Sequence, residues 1–437
     1  MTSHERFTPH EVTDKAVDRA VLVAADRGGR GWSVDDSLAE LERLVETAGA
    51  VVVAKLTQKL SAPDSKTFIH KGKLEEVAEV ARELEASLII FDDELSPSQQ
   101  ANIENAVPET KIADRTALIL DIFALHATSR EGKLQVELAQ MEYLLPRLRG
   151  LWRHLDRFAG GGVLTRGPGE SQLETDRRLA RKRIGELKRE LVHVAGEREL
   201  QRKARVRSGV FRVSLVGYTN AGKSTTLNAL TDADVLVADK LFATLDATTR
   251  TMELAEGRIV TITDTVGFIH KLPHSLVQAF KSTLDEVREA DLLIHVVDGS
   301  HPQAFDQIAA VQEVLGEIGA ADRPALVVFN KADAMEDEAR AQLLARYPHA
   351  VVCSALTGDG LDTLRERVAA EAARAAVTLT LLIPYDRGDL VGLAHEHTQI
   401  VSEEHTPDGT RMVVRASVQV AGRLEPFAEH RRPTAAG

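Results

Sequence analysis

The sequence predicts a multidomain α/β protein in which two α/β regions are separated by a pair of long helices and followed by a small α+β module. At 437 residues the chain is longer than one ordinary domain. In two separate regions, short apolar runs alternate with amphipathic stretches of roughly 10–15 residues, the pattern of strands joined by helices in a parallel sheet. Between these regions apolar residues recur at helical spacing.

These patterns divide the chain into six consecutive parts. The predicted parts are a flexible N-terminus (1–18), an N-terminal parallel α/β subdomain (19–128), a basic helical hairpin with a Gly-rich tip (129–208), a second α/β domain (209–374), a C-terminal α+β domain (375–430) and a tail (431–437).

The first α/β region alternates apolar runs with amphipathic ones. AVLVAA, AVVVAKL and SLIIFDD have the β-branched, apolar character of buried strands, while SLAELERLVETA and KLEEVAEVARELE carry apolar residues three and four positions apart. We therefore expect a parallel sheet covered by helices.

The hairpin is predicted from two apolar seams. Each seam follows a spacing of four and three residues, which places its members on one face of a helix. Pro146 falls inside the first pattern and should kink or end that helix. The seams are Leu134, Leu138, Met141, Leu145 and Leu148, and then Ala180, Ile184, Leu187, Leu191 and Val194.

The hairpin region is strongly basic although the whole chain carries a net charge of −12. Residues 145–207 contain seventeen basic and eight acidic side chains, a local net charge of +9. Either this is the solvated surface of a long helix pair, or the glycines and arginines let the tip approach folded RNA and its phosphates. The candidate RNA-binding residues are Arg157, Gly160, Gly161, Gly162, Arg166, Gly167, Arg177 and Arg178.

The C-terminal region has a different pattern. VTLTLLIPYD reads as a strand and DLVGLAHEH as a short helix, and TQIVSEEH and TRMVVRASV flank a Pro-Asp-Gly turn as a hairpin would. We expect a small α+β module.

Composition excludes several classes of protein. No run of 18 or more apolar residues could span a bilayer, and MTSHERFTPHEV lacks the basic start and apolar stretch of a secretory signal. The single cysteine, Cys353, excludes an intramolecular disulfide. We expect a cytoplasmic protein without a membrane span.

A phosphate-binding loop is predicted at GYTNAGKST, which follows the apolar run VSLV. Its glycines let consecutive N–H groups point at phosphate oxygens, and a helix begins there with its positive end toward them. Lys223 should reach the β- and γ-phosphates and Ser224 should ligate Mg²⁺. A plain Gly-rich turn is the alternative. The nucleotide-contacting residues are Gly217, Tyr218, Thr219, Asn220, Ala221, Gly222, Lys223, Ser224 and Thr225. Gly160–Gly162 lacks the Gly-Lys-Ser/Thr that such a loop needs.

Two further segments should complete the phosphate site. Asp264 ends the strand-like run in ITDTVG, where its carboxylate would hold Mg²⁺ through water and the N–H of Gly267 would contact the γ-phosphate. LFATLDATTR must supply a threonine that senses this phosphate and ligates the metal. We expect Thr244, with Thr248 and Thr249 as alternatives.

The base should be guanine. In NKAD, which follows the apolar run ALVVF, the carboxylate of Asp333 can accept hydrogen bonds from N1–H and the exocyclic amine, which adenine does not offer together. In CSAL, the N–H of Ala355 could bind the guanine carbonyl. The base-binding candidates are Asn330, Lys331, Asp333, Ser354, Ala355 and Leu356. These motifs in this order predict a P-loop GTPase domain of the translation-factor class, an enzyme that hydrolyses GTP to GDP and phosphate with Mg²⁺.

The chain resembles the HflX family of ribosome-associated GTPases across about residues 20–420. The resemblance rests on TFIHKGKLEEV, DRTALILDIFALHA, EGKLQVELAQMEYLLPRLRG, GGVLTRGPGESQLETDRR, GYTNAGKST, FATLDATTR and DTVGFIHKLPHSLVQAF. It implies a Ras-like P-loop GTPase domain between an N-terminal domain and a small C-terminal domain. It also implies binding to the large (50S) ribosomal subunit, with the hairpin tip near the peptidyl-transferase centre, and GTP-dependent splitting or recycling of stalled 70S ribosomes under stress. A monomer suits a factor that enters a crowded cavity.

Two positions bear on hydrolysis in this class. Phe268 stands where many such GTPases carry the glutamine that orients the attacking water, so intrinsic hydrolysis should be slow. Asn220 matches an asparagine that ligates K⁺ in several related GTPases; alternatively it only stabilises the turn. The candidate catalytic residues are Asn220, Lys223, Thr244 and Gly267.

Two other functions remain open at this point. The chain could be a GTPase switch that regulates a protein partner through a coiled-coil-like hairpin without RNA binding. It could also be a tRNA- or rRNA-processing enzyme that uses GTP for timing, although no second catalytic cluster is evident.

Overall fold

The computed structural model describes residues 17–28, 32–148, 172–208, 210–231, 241–242, 244–254, 259–273, 276, 281–416 and 418–429. Residues 1–16 of the expected flexible N-terminus, the hairpin tip and the expected tail (431–437) lie outside the described residues. Packing separates two units, Met1–Ile122 with Pro146–Thr165, and Phe123–Leu145 with Arg166–Gly437.

The helices and strands follow the predicted alternation. The helices are α1 (Val34–Thr47), α2 (Lys71–Glu83), α3 (Pro97–Ala106), α4 (Arg115–His126), α5 (Arg130–Leu144), α6 (Gln172–Ser208), α7 (Lys223–Thr231), α8 (Lys281–Glu289), α9 (Ala304–Glu317), α10 (Asp337–Arg346), α11 (Leu361–Arg374), α12 (Gly388–His397) and α13 (Val418–Leu424). The strands are β1 (Arg19–Asp26), β2 (Val51–Lys59), β3 (Leu88–Phe91), β4 (Lys111–Asp114), β5 (Phe211–Gly217), β6 (Thr248–Glu253), β7 (Ile259–Asp264), β8 (Leu292–Asp298), β9 (Ala325–Asn330), β10 (Val351–Val352), β11 (Val377–Ile383), β12 (Gln399–Thr406) and β13 (Gly409–Ala416).

The first unit contains a four-stranded parallel sheet in the order β2-β1-β3-β4. Strands β1 and β3 are apolar and nearly fully buried, as expected for central strands covered on both faces. The start of α3 is fixed by a capping box, in which Ser96 accepts from the N–H of Gln99 and the Gln99 side chain accepts from the N–H of Ser96.

Helices α5 and α6 pack along the predicted seam. Leu134, Leu138 and Leu187 are buried, and Met141, Ile184, Leu191 and Val194 pack against them. Two ion pairs join the helices: Arg183 forms a bidentate pair with Glu137 at 2.7 and 2.8 Å, and the Lys188 ammonium lies 2.8 Å from Glu142. Both helices belong to the unit that contains the phosphate loop.

The apolar seam predicted for the first helix of the hairpin extends beyond the end of that helix. Helix α5 ends at Leu144 and a 3-10 turn follows at Leu145–Arg147, because Pro146 cannot continue the helical hydrogen bonds. Leu145 and Leu148 therefore lie beyond α5. Arg147 is not part of a basic surface: it is buried and donates to the Leu95 carbonyl at 2.6 Å, with Asp114 at 3.5 Å.

The second α/β region is a six-stranded sheet in the order β10-β9-β8-β5-β7-β6. All neighbours are parallel except β6, which pairs antiparallel with β7. The sequence did not indicate β6 as a strand, because TTRTME is polar and lies within the segment interpreted as a nucleotide-sensing loop. Beyond it, β11, β13 and β12 form an antiparallel sheet that packs with α12 and α13.

The predicted fold class is confirmed by these sheets. Among the described residues, no helix combines the length and the apolar content that a bilayer span requires.

A buried ion-pair network in the first unit gives a stability test. The Arg115 guanidinium lies between the carboxylates of Glu40 and Asp92, with 2.6 Å to Asp92, and all three side chains are at most 2% exposed. Arg115→Met leaves two buried carboxylates without this cation, so we expect a loss of about 3–5 kcal/mol in the unfolding free energy of this unit.

Urea unfolding followed by Trp32 fluorescence, in a Trp152→Phe background, measures this loss. Lys71→Met is the control, because Lys71 forms an exposed pair with Glu75 at 3.7 Å. An Arg115→Met midpoint equal to that of the control would show that the network does not stabilise the unit.

Candidate functional site

The phosphate loop (residues 217–225) joins the end of β5 to the start of α7. Two of its glycines are required by close approach: a Cβ at Gly217 would lie 2.1 Å from the Val296 carbonyl oxygen, and one at Gly222 would lie 2.1 Å from the Asn330 amide nitrogen. Gly222 also has φ +92° and Asn220 φ 60°, both in the left-handed region. The backbone therefore wraps as a phosphate cradle does.

Lys223 is buried beneath this loop. Its ammonium donates to the carbonyls of Gly217 at 3.3 Å and Tyr218 at 2.9 Å. Burial lowers the pKa of Lys223 to about 8, while the nearby Asp264 carboxylate opposes that shift. Lys223 is thus poised to gain charge stabilisation from an anionic ligand.

Three oxygen-bearing side chains meet beside Lys223. The Ser224 hydroxyl lies 2.8 Å from the Thr244 hydroxyl and donates to Asp264 Oδ2 at 2.6 Å. Burial raises the pKa of Asp264, opposed by Lys223 and by hydrogen bonds from Ser224 and Thr244. Within the part of the chain that the structure describes, the buried Asp264 Oδ1 has no hydrogen-bond partner. Hydroxyl and carboxylate oxygens with one carboxylate oxygen to spare fit a hydrated Mg²⁺.

The alternative threonines are placed differently. Thr248 is the first residue of β6 and lies opposite Asp264 in the β6–β7 pairing, and the Thr249 hydroxyl lies 2.9 Å from that of Thr263. Thr244 is therefore the threonine whose hydroxyl lies against Ser224, which supports its expected role.

The segment after β7 lies against the phosphate loop. A Cβ at Gly267 would be 2.9 Å from both the Lys223 ammonium and Thr219 Cα, so a side chain there would displace the loop. Phe268 donates its N–H to the Gly217 carbonyl at 3.1 Å and accepts from the Thr219 N–H at 2.7 Å. Its ring is fully buried, so it presents no group that could orient water.

The predicted base-binding residues form a connected set. The Asn330 amide donates to the Ala221 carbonyl at 2.9 Å, and its oxygen accepts from the Ala355 N–H at 2.9 Å. Asn330 thereby ties the phosphate loop to the segment after β10. Ser354 donates its hydroxyl to Asp333 at 2.5 Å, and Leu356 is 81% exposed.

One residue of this region was missed by sequence reasoning. Asp298, at the end of β8, lies 2.6 Å from the Lys331 ammonium, while Lys331 has the left-handed φ of 62°. This pair fixes Lys331 beside the base-binding residues. The sequence did contain a signal for Asp298, because this aspartate ends an apolar, strand-like run.

The candidate RNA-binding residues are only partly described. Arg177 and Arg178 lie near the start of α6, and Arg178 is exposed. Arg157, Gly160, Gly161, Gly162, Arg166 and Gly167 lie outside the described residues.

A strand, a phosphate-cradling loop and a helix, joined by Asn330 to a guanine-specific motif, define a P-loop GTPase domain. Three family models match the chain: GTP-binding GTPase N-terminal over residues 35–124, GTP-binding GTPase Middle Region over 126–205, and 50S ribosome-binding GTPase over 212–331.

Curated relatives identify the family. GTPase HflX of Lacrimispora saccharolytica is 48% identical over 398 residues, which cover 90% of this chain and 93% of that protein. GTPase HflX of Escherichia coli K12 is 45% identical over 381 residues, covering 86% and 88%. A solved GTP-binding protein of Sulfolobus solfataricus in complex with GDP covers 82% of this chain and 99% of its own at 25% identity, with a TM-score of 0.43. The chain belongs to the HflX family of GTPases, and the sequence-based prediction of a GTPase is confirmed.

The lowered pKa of Lys223 gives a pH test. Phosphate binding favours the charged ammonium, so above pH 8 nucleotide binding must take up a proton. We expect the Kd for GTP to rise from pH 7.5 to 9, approaching about tenfold per pH unit above the pKa.

Titration calorimetry in two buffers of different ionisation enthalpy measures both the affinity and the proton uptake. Lys223→Met is the control, because it retains only the titration of the guanine base. Equal pH slopes for the two proteins would contradict the assignment.

Proposed function

We propose that this protein hydrolyses GTP while bound to the large (50S) ribosomal subunit, contacts rRNA near the peptidyl-transferase centre, and splits or recycles stalled 70S ribosomes under stress. The observation that most directly supports this proposal is the match of residues 212–331 to the 50S ribosome-binding GTPase model. The same chain also contains the basic helical hairpin. The proposal makes the protein a monomeric, ribosome-associated factor of the cytoplasm.

The residues of the phosphate site would act together on GTP. The phosphate-loop amides and the Lys223 ammonium bind the phosphates. The Ser224, Thr244 and Asp264 oxygens would hold Mg²⁺, which when bound offsets charge on the β- and γ-phosphates. The Gly267 N–H, next to Lys223, contacts the γ-phosphate, so the segment after β7 relaxes when that phosphate leaves.

Base selection rests on Asp333. Its carboxylate is held by the Ser354 hydroxyl, which leaves the remaining acceptor positions for N1–H and the exocyclic amine of guanine. Adenine would leave the carboxylate without these donors, a loss that disfavours ATP.

Because Phe268 cannot orient the attacking water, other groups must assist hydrolysis. The phenyl ring is buried and cannot hydrogen-bond to water, so intrinsic turnover is slow. Asn220, in the phosphate loop, would hold a K⁺ ion, whose positive charge would offset negative charge on the phosphates. Docking to the ribosome orders the nucleotide-sensing segments further.

Charge on α6 supports RNA contact over a coiled-coil adaptor. Arg178, Arg181, Lys182 and Arg189 are exposed on this helix. The apolar seam of α6 already packs against α5, so the seam is not available as a coiled-coil surface for another protein. Most of the exposed charged side chains of α6 are therefore basic, and basic surfaces bind phosphate backbones.

Subunit binding tests the role of the hairpin. With a non-hydrolysable GTP analogue, we expect the wild type to pellet with 50S subunits and a variant lacking residues 158–169 to remain largely in the supernatant. Because RNA binding depends on phosphate contacts, pelleting should weaken steeply as salt rises.

A Val401→Ala variant serves as the control, since Val401 is exposed and lies outside both the hairpin and the nucleotide site. Equal pelleting of the deletion variant and the wild type would reject the tip as a ribosome contact. Salt-independent pelleting would favour a protein partner.

The choice of monovalent cation tests the role of Asn220. We expect faster GTP hydrolysis in KCl than in NaCl at equal ionic strength, and expect Asn220→Gly to remove the difference, since glycine adopts the left-handed φ of this position without strain. Phosphate release under multiple-turnover conditions measures it. Equal wild-type rates in the two salts would remove K⁺ from the proposal.

A further inference from the structure

The nucleotide-sensing segment (residues 241–250, the switch segment) contacts the N-terminal end of α5 through Asp246. Asp246 Oδ2 accepts from the Thr128 N–H at 2.9 Å, the Thr128 hydroxyl at 2.7 Å and the Ser129 N–H at 2.7 Å. The Ser129 hydroxyl donates to Oδ1. Ser129 is also the N-cap of α5 and accepts from the Gly132 N–H at 2.8 Å. One carboxylate thus occupies the positive end of α5.

Glycine at position 132 makes room for this carboxylate. A Cβ at Gly132 would lie 2.4 Å from Asp246 Oδ1 and 3.1 Å from the Ser129 hydroxyl. The first turn of α5 therefore lacks a side chain where the carboxylate of Asp246 lies. Neither the spacing nor the composition of the hairpin explains a glycine inside a helix, which lowers helix stability.

A second anchor lies on the other side of Thr244. The Phe242 ring meets the Phe123 ring of α4 edge to face, with centroids 4.6 Å apart, and both side chains are at most 2% exposed. Phe242 has φ 58°, a backbone conformation that costs free energy unless packing fixes it. Thr244 is two residues from each anchor, so the two contacts together restrict where its hydroxyl can lie.

We infer that Asp246 is a positioning residue that latches the switch segment to the N-terminus of α5, so that the hairpin sets the position of Thr244 at the Mg²⁺ and γ-phosphate site. This inference rests on the proposed role of Thr244 in that site. Four hydrogen bonds from Thr128 and Ser129 to the Asp246 carboxylate hold it in this position.

The latch works in both directions by thermodynamic linkage. If the docked switch segment favours Mg²⁺ and the γ-phosphate, then those ligands favour the docked segment and the capped first turn of α5 by the same factor. Loss of the phosphate releases Thr244 and weakens the hold of Asp246 on the hairpin. Hairpin contact with a target would conversely favour the arrangement that binds GTP.

A double-mutant cycle tests the latch. We expect Asp246→Ala to lower kcat about tenfold and to raise the Mg²⁺ concentration for half-maximal rate to a similar extent, with GDP affinity within about twofold of the wild type. Gly132→Ala should have a comparable effect in the wild type, because its new methyl group displaces the carboxylate. In the Asp246→Ala background it should add nothing.

A conservative pair isolates the hydrogen bond from packing. Thr128 is exposed, and Thr128→Ser keeps the donated hydroxyl whereas Thr128→Val keeps the shape without it. We expect Thr128→Ser to retain the wild-type Mg²⁺ dependence and Thr128→Val to shift it toward that of Asp246→Ala. Asp362→Asn is the matched control, because Asp362 lies in the first turn of α11 and pairs with Arg365 at 3.0 Å.

The outcomes separate the latch from the metal-site assignment. Additive effects of Asp246→Ala and Gly132→Ala, or an unchanged kcat and Mg²⁺ dependence in Asp246→Ala, would overturn the latch. Thr244→Ala tests the assignment alone: if it lowers kcat while the Asp246 variants do not, the metal site stands and the latch is wrong. Retained GDP binding shows that each variant folds; should Asp246→Ala lose it, Asp246→Asn replaces it in the cycle.

Discussion

The meeting of the Ser224 and Thr244 hydroxyls with the Asp264 carboxylate is the constraint on which the rest of the site depends. These groups come from the start of α7, the switch segment and the end of β7. The Ser224 hydroxyl lies 2.8 Å from the Thr244 hydroxyl and 2.6 Å from the Asp264 carboxylate. The parallel pairing of β5 with β7 places two of them at one sheet edge, as ligand sites of open α/β sheets require. The third, Thr244, is held from outside the sheet.

Hydrogen bonds and close backbone contacts hold the phosphate loop against the base-binding residues. Asn330 joins the phosphate loop to the segment after β10, and Gly217 and Gly222 allow backbone approaches that no side chain would permit. If Thr244 holds Mg²⁺ only while the γ-phosphate is present, as we propose, the terminal phosphate is the control point, because only contacts that differ between states can shift a population. Because the switch segment also contacts α4 and α5, we infer that a change in the position of Thr244 also affects the hairpin.

The fold class and the phosphate loop could be predicted from the sequence. The contacts between the switch segment and the hairpin could not. Strand and helix periodicity and the Gly-Lys-Ser spacing are local properties, so the phosphate loop could be located from residues close in sequence. Asp246 meets Thr128 and Ser129 only after folding, and a polar residue in a loop gives no sign of such a contact. Strand β6 was missed because its polar threonines match a loop, and Arg147 was misread because a buried arginine looks like a surface one.

Hydrogen exchange at Thr128 and Ser129, immediately before α5, tests most directly whether the terminal phosphate acts on the hairpin. The N–H groups of Thr128 and Ser129 donate to Asp246, and their exchange reports that contact. The account predicts slower exchange with Mg²⁺ and a non-hydrolysable GTP analogue than with GDP, and no difference between the two in Asp246→Ala. Equal exchange in the two nucleotide states of the wild type would contradict it.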